Sequence, residues 1–339
     1  MEQCNTYRAA GRILSGVGGR YTILIDATDV SPLVGQTVVC RAKGAFRHDG
    51  ITPLPGDGVI IGYSDASFSR TEDDVITPDP DGTQIRIEQI LPRRCELIRP
   101  PMANLDVLFV TLAIATPAPL LPMVDKLICA CEHNGIEPVI IIGKSDLHPT
   151  AAQDLTDTYR RAGFAAFCVS AQNGDGIDAL RAYIRQNTVG KIAAFAGASG
   201  VGKSTLLNLL FPSLSQQTGN VSEKTARGRH TTRQVTIFPL PIEAQSAYIY
   251  IADTPGFSLL DFEQFDFMEK EDLPLSMREF RPYLGQCRYT DCTHTKEADC
   301  AIVQAVKRGD IAPSRHESFL IMYNELKDKK PWNRPTRKF

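Results

Sequence analysis

The octapeptide Gly197-Ala198-Ser199-Gly200-Val201-Gly202-Lys203-Ser204 constrains this chain more than any other feature. It fits G-x-x-x-x-G-K-[ST], with the apolar run KIAAFA before it and the helical run TLLNLL, opening at Thr205, after it. In that strand–loop–helix context the glycines let the backbone curl, so that successive N–H groups and a helix N-terminus face a polyphosphate. Lys203 is placed to reach the β- and γ-phosphates, and the Ser204 hydroxyl to ligate Mg²⁺. The chain is expected to bind a nucleoside triphosphate on an α/β sheet.

The surrounding sequence fits that sheet. From Asn104 onward the apolar runs LDVLFVTLAI, PVIIIG, AAFCVS, KIAAFAG and AYIYIAD alternate with amphipathic stretches such as 121–133 and 175–187. Near-continuous apolar strands between helices predict a buried parallel sheet. Residues 1–92 read differently: short runs (Tyr21–Asp26, Thr37–Arg41, Gly58–Tyr63, Gln84–Ile90) separated by Gly, Pro and Asp clusters predict about five strands, as in a small closed barrel such as an OB-fold. The Pro pair in RRCELIRPPM, residues 93–102, predicts a linker. Beyond about residue 262 the sequence turns polar and ends in two expected helices, Ala301–Arg308 and His316–Lys327, with Ser314 a candidate cap for the second.

Which base is read depends on residues outside the phosphate loop. Asp253-Thr-Pro-Gly256 follows the strand AYIYIA as D-x-x-G does in GTPases, where the Asp holds Mg²⁺ through water and the Gly amide senses the γ-phosphate. GRHTTR, residues 228–233, lies between the two motifs and offers Thr231 and Thr232 as candidates for the threonine that closes on Mg²⁺. Guanine selection needs a carboxylate that accepts from N1–H and the N2 amine, a donor pair adenine lacks. Gly143-Lys144-Ser145-Asp146 and Ser170-Ala171 resemble the N-K-x-D and S-A elements that supply it, each at the C-terminal end of a strand. Both precede the phosphate loop, so the order is base, base, phosphate, switch, switch. Such a permutation is tolerated because pairing and packing, not chain order, hold a sheet together.

Cys287-x4-Cys292-x-His294-x5-Cys300 places four soft or borderline ligands within fourteen residues. Cys₃His is a closed tetrahedral donor set of the kind that holds structural zinc, with no further candidate to open a catalytic position. The other six cysteines are scattered, which suits a reducing cytoplasm better than a disulfide framework. His316 sits in a helical pattern and reads as a surface or packing residue.

GASGVGKST, GRHTT, DTPGF and the Cys/His cluster, in this order, resemble the circularly permuted, small-ribosomal-subunit-dependent GTPases of the RsgA/YjeQ type. The resemblance covers nearly the whole chain. It implies an N-terminal OB-fold barrel (1–92), a central α/β permuted P-loop GTPase domain (93–262), and a C-terminal zinc-binding helical domain with a basic tail (263–339). It also implies hydrolysis of GTP to GDP, stimulated by the small ribosomal subunit during its late maturation, with contacts to its rRNA. One departure stands out: Gly143 replaces the usual Asn, removing an amide that bridges the base and the phosphate loop, so GTP specificity is expected to survive with weaker affinity. Phe257 occupies the position of the water-orienting Gln of Ras-like enzymes, and His230 is the nearest alternative, a role the resemblance also implies. Slow intrinsic turnover and strong activation by a partner follow.

Charge bears on that partner. With 37 Lys and Arg against 39 Asp and Glu the net charge of −2 opposes non-specific nucleic-acid binding by the chain as a whole. The distribution is uneven: residues 1–92 hold 12 acidic and eight basic side chains, and residues 278–339 hold 13 basic and eight acidic. The tail LKDKKPWNRPTRKF, with the chain's single Trp, is a candidate RNA contact, and the barrel's loops near Arg41–His48 are another. The longest apolar stretch, Val107–Ala115, is about half of what a membrane span needs, and the N-terminus lacks an apolar signal core. A cytoplasmic monomer without a membrane partner is expected. Two other readings remain open: a nucleotide-gated RNA- or ribosome-binding module with little hydrolysis of its own, and a P-loop ATPase or kinase.

Overall fold

A computed structural model describes residues 6–26, 33–44, 46, 50–64, 68–70, 76–78, 85–98, 100–214, 235–242, 245–253 and 268–327. The described residues fall into two compact units, one drawn from 1–106, 185–194 and 227–256, the other from 107–184, 195–226 and 257–339.

The first unit contains a closed five-stranded barrel of β1 (Thr6–Val17), β2 (Arg20–Ile25), β3 (Thr37–Ala42), β4 (Gly58–Ser64) and β7 (Arg86–Ile90), in the order β1-β2-β3-β7-β4, while β5 (Phe68–Arg70) and β6 (Ile76–Pro78) pair antiparallel in a two-stranded sheet of their own. Counted among barrel strands alone this is 1-2-3-5-4, the Greek-key order of an OB-fold. Alternate residues point inward, and Ile13, Ile23, Val38, Val59, Ile61 and Ile87 fill the interior with no exposure. β1 was not among the runs expected as strands, because its two glycines and its arginines mask the alternation. Gly11 is there for close approach: a Cβ on it would lie 2.7 Å from both the Ile23 side chain and the Leu24 carbonyl of β2.

The expected linker at 93–102 is instead pinned structure. Arg93 forks onto the fully buried Asp57 (Nε to Oδ1 2.7 Å, Nη2 to Oδ2 2.8 Å) and donates to the Thr52 carbonyl and to Glu96. The hairpin β8 (Glu96–Ile98) and β9 (Pro101–Ala103) follows. Pro100 lies in the hairpin's turn and Pro101 opens β9 opposite Ile98, so the Pro pair marks a bend and not a flexible connection.

A six-stranded sheet runs β12-β11-β10-β13-β15-β14, with β10 (Val107–Ala113), β11 (Glu137–Gly143), β12 (Ala165–Cys168), β13 (Ile192–Ala196), β14 (Thr236–Ile242) and β15 (Gln245–Asp253). The sheet is not wholly parallel as expected: β14 pairs antiparallel with β15. Its Pro239 and Pro241 hid it, yet they are tolerated because β14 is an edge strand with one side free of ladder bonds.

Within the second unit, α1 (Leu121–His133) and α2 (Pro149–Arg161) each begin with a proline in the first turn, where its missing N–H costs nothing. α3 (Ile177–Asn187) opens in this unit, and α4 (Lys203–Leu210) leaves the phosphate loop. Two 3-10 turns (Pro274–Ser276, Arg278–Tyr283) lead to α5 (Ala301–Arg308) and α6 (Pro313–Lys327). α6 starts at Pro313, so Ser314 lies inside its first turn and not at the cap. The segment has more core than its polarity implies: Met268, Leu273, Met277, Phe280, Ile302 and Phe319 form a buried cluster that also takes in Cys300, and Cys129 of α1.

A buried ion network ties α6 to α1 and α2. The guanidinium of Arg315, 1% exposed, donates through Nη1 to Asp125 and through Nε to Glu279 Oε1 at 2.6 Å, and Tyr159 donates its hydroxyl to Asp125 at 2.9 Å. Removing one partner strands a buried charge, whereas replacing both by apolar groups removes the desolvation cost as well. Asp125→Ala is therefore expected to lower unfolding free energy by about 3–5 kcal/mol, and the triple replacement Asp125→Leu, Arg315→Met and Glu279→Leu, which leaves no buried charge behind, by far less. Urea denaturation of the three proteins measures this; equal losses would show that the ion pair is not what sets the cost.

Candidate nucleotide site and metal centre

β13 runs into Gly197, whose φ is +153° and whose Cβ, were there one, would sit 2.1 Å from the Thr111 carbonyl. Only glycine lets the loop leave the sheet this close to β10. Gly200 and Gly202 also adopt positive φ, and Gly202 sits at the N-terminus of α4. Lys203 folds over its own loop, donating from Nζ to the carbonyls of Gly197 (2.6 Å) and Ala198 (2.8 Å). Burial pulls its pKa below the ordinary lysine value. Ser199, Ser204 and Thr205 are exposed.

The G-K-S-D segment leaves β11 beside this loop. Lys144, in the left-handed region at φ +56°, donates from Nζ to the Gly200 carbonyl at 2.8 Å and to the Thr116 carbonyl. A side chain of the base element thus grips the phosphate loop directly, a bridge that does not need the amide missing at Gly143. Ser145 is buried and its N–H donates to the Val169 carbonyl at 3.1 Å, which locks the segment to the strand end preceding Ser170. The Ser170 hydroxyl donates to Asp146 Oδ1 at 2.6 Å while accepting from the Asn173 N–H at 3.2 Å. Ser170 therefore aims the carboxylate, and Ala171 follows on the cavity wall.

These elements enclose a cavity of about 250 Å³ lined by Gly143, Lys144, Asp146 and Ala171 from the base elements and Val201, Gly202 and Thr205 from the phosphate loop. Thr111, Leu147, Val169, Gln172 and Leu206 complete the wall. Sequence reasoning passed over these five; Leu147 and Gln172 directly follow the two base motifs, but nothing local marks Thr111, which faces the loop only through the fold. Asp253 ends β15 opposite Thr236. His230, Thr231, Thr232, Gly256 and Phe257 lie outside the described residues, as do Arg47, His48 and the tail beyond Lys327.

The Cys/His cluster is closed by local structure. Cys287 Sγ and Cys300 Sγ each lie 3.5 Å from His294 Nδ1 and 3.9 Å from one another, and all four ligand atoms, Cys292 included, lie within 4.8 Å. Tetrahedral zinc with Zn–S of about 2.3 Å and Zn–N of about 2.0–2.1 Å requires edges of roughly 3.8 Å between sulfurs and 3.5 Å from sulfur to nitrogen. The donor set and its spacing fit zinc. His316 is a packing residue: 9% exposed, its Nε2 is 2.9 Å from the His294 carbonyl. Burial pushes the Glu297 carboxyl up, but hydrogen bonds from the Thr293 hydroxyl and from backbone N–H groups outweigh it and hold the group at about 2.

Comparison with known proteins gives the arrangement a family. Residues 90–263 match the RsgA GTPase family and residues 10–67 the RsgA N-terminal domain. The Small ribosomal subunit biogenesis GTPase RsgA of Caldanaerobacter subterraneus subsp. tengcongensis is 36% identical over 323 residues, 95% of this chain and 97% of that protein. The protein of the same name from Bacillus pumilus is 36% identical over 326 residues, 95% and 98% of the two chains. Among solved structures, YjeQ from Thermotoga maritima aligns with a TM-score of 0.73 at 27% identity, over 96% of this chain and all of that one. YloQ, a circularly permuted GTPase, aligns with a TM-score of 0.68 at 29% identity, over 96% and 97%. With a 1-2-3-5-4 barrel, base elements ahead of the phosphate loop and relatives matched nearly end to end, the chain belongs to the RsgA family of circularly permuted GTPases.

Proposed function

We propose that this chain binds and hydrolyses GTP in the cavity between the G-K-S-D segment and the phosphate loop, and that the small ribosomal subunit stimulates the reaction during its assembly. The observation that carries the reading is Asp146: a guanine-reading carboxylate, aimed by Ser170, on the wall of the cavity that the phosphate loop closes. The Gly197–Thr205 backbone cradles the phosphates, and Lys203 exchanges its loop carbonyls for phosphate oxygens. Ser204, Asp253 and one of Thr231 and Thr232 hold Mg²⁺, Gly256 senses the γ-phosphate, and His230 orients the water. The three-domain division at 92 and 262, a structural zinc in the Cys₃His centre, and a monomeric cytoplasmic protein complete the proposal. Among the described residues no helix is long and apolar enough to cross a membrane.

An RNA partner is supported by the barrel as well as by the tail. Arg20, Arg41, Arg86, Gly62 and Arg8 lie directly opposite one another across β2, β3, β7, β4 and β1, and all four arginines are exposed. Like charges placed opposite across strands repel, so the row reads as a surface kept for phosphate, with Glu88 bridging Arg8 and Lys43. The acidic total of residues 1–92 concealed this row.

GTP and ATP turnover with and without purified small subunits tests the function. Strong, GTP-selective stimulation is expected; binding without stimulation favours a nucleotide-gated binding module, for which Phe257 speaks, and ATP preference sinks the assignment. Position 143 offers a gain-of-function check. Its φ is not positive, and a Cβ there would meet only the carbonyls of Leu112 (3.5 Å) and Val201 (3.6 Å) in ordinary contact. Gly143→Asn can therefore add an amide donor toward Val201, and one net hydrogen bond of about 0.5–1.5 kcal/mol corresponds to roughly 2–12-fold tighter GTP and GDP binding. Fluorescent-nucleotide titration measures it, and weaker binding would mean the space is not the missing amide's.

A further inference from the structure

The fourteen-residue metal segment carries an acidic residue that is not a ligand. Glu297 lies three residues from both His294 and Cys300, yet its oxygens are taken up by the loop itself. Oε1 accepts from the Thr293 N–H at 2.9 Å and from the Thr293 hydroxyl at 2.5 Å. Oε2 accepts from the N–H groups of Thr295 and Lys296, both at 3.0 Å. Four donors on one carboxylate fill its four lone-pair sites and leave none for a metal.

We propose that Glu297 is the positioning residue of the metal centre: its carboxylate holds the Cys292-Thr293-His294 turn in the shape that presents two of the four ligands. Thr293, gripped through both its N–H and its hydroxyl, is the residue between those ligands. His294 itself adopts left-handed backbone, φ +59°, which residues with a Cβ adopt uncommonly. Glu297 restrains the turn from one side. His316 of α6 restrains it from the other, donating from Nε2 to the His294 carbonyl at 2.9 Å. The third ligand is fixed separately: Cys300 Sγ accepts from the Val303 N–H at 3.5 Å and so caps α5. These contacts orient the ligands that the ion then draws together, as outer-shell partners do at other metal sites.

The inference rests on the zinc reading of the cluster, and the test separates the two. Zinc affinity of the full-length protein is measured by competition with a chromophoric chelator, and cobalt is loaded in parallel to read tetrahedral thiolate coordination from its visible bands. Glu297→Gln sets an amide NH₂ against N–H donors and is expected to weaken zinc binding about 10–100-fold. Thr293→Val keeps the N–H and loses the hydroxyl, and a smaller loss, about threefold, is expected. Asp299→Asn, an exposed carboxylate one residue from Cys300 that pairs with Arg288, is expected to bind zinc as the parent does. Should Glu297→Gln not fold, the threefold loss in Thr293→Val decides. Unchanged affinity in both Glu297 and Thr293 variants, or an equal loss in Asp299→Asn, overturns the positioning role. A parent protein that takes up neither metal overturns the zinc reading instead.

Discussion

Asp146→Asn is expected to exchange guanine for xanthine. In the proposed site the parent carboxylate accepts from guanine N1–H and the N2 amine, and Ser170, 2.6 Å from Oδ1, keeps it from rotating away. An amide at this position turns an NH₂ toward the base, which opposes N–H to N–H on guanine but meets the C2 carbonyl of xanthine. A site built to pair a polar group rejects a mismatched one strongly because its own buried groups are left unpaired. GTP affinity should fall about 10³-fold, and XTP, bound poorly by the parent, should recover most of it. ATP should stay weak in both proteins, since adenine offers neither pattern. Displacement of a fluorescent nucleotide by GTP, XTP and ATP reads all three. Undiminished GTP binding in the variant would remove Asp146 from base recognition, and with it the basis for assigning the cavity to guanine. Lys144 makes the outcome clean: its grip on Gly200 belongs to the neighbouring side chain, so the loop's place beside the phosphates does not depend on the carboxylate.

What could be read from the sequence divides by the range of the interaction that decides it. α1 and α5 begin and end where their apolar spacing says they should, because a helix is specified by residues three and four apart. The Cys₃His centre was legible for the same reason, with all its ligands inside one short loop. β1 was not, since its glycines answer to the side chains of β2, and β14 was not, since prolines forbid a central strand but not an edge one. α2 was overlooked because its polar face dominates PTAAQDLTDTYRR, and only Ala152, Thr156 and Tyr159 turn inward. The site shows the same split. Each motif could be recognised alone, whereas the Lys144 bridge to Gly200 and the Thr111 carbonyl against Gly197 join residues 56 and 86 positions apart. The arginine row escaped for a related reason: its members come from four strands, and only strand register lines them up.

Removing the metal should open one loop and leave its neighbour standing. Cys300 is a fully buried candidate ligand that also caps α5, and because a serine hydroxyl caps a helix as well, Cys300→Ser removes the thiolate while sparing the helix start. In small zinc domains the metal supplies nearly all of the folding energy, about 10–16 kcal/mol of apparent binding. Here a second source competes with it: Phe280, Ile302, Phe319 and Met322 are buried in an apolar core that continues past Cys300 to Cys129 of α1, and Arg315 anchors α6 to Asp125 without help from the metal. At about 1.5–3 kcal/mol for each large apolar side chain buried, that core is comparable to the metal term. The expected result is therefore local. Hydrogen exchange followed by mass spectrometry should show residues 286–300 losing protection by 10³-fold or more on chelation or in Cys300→Ser, while 313–327 lose less than tenfold. Uniform loss across both segments would mean that the metal holds the whole C-terminal region, as in an isolated finger. Retained protection at 286–300 would mean that Glu297 and His316 shape the loop unaided, and that the ion enters a site the chain has already built.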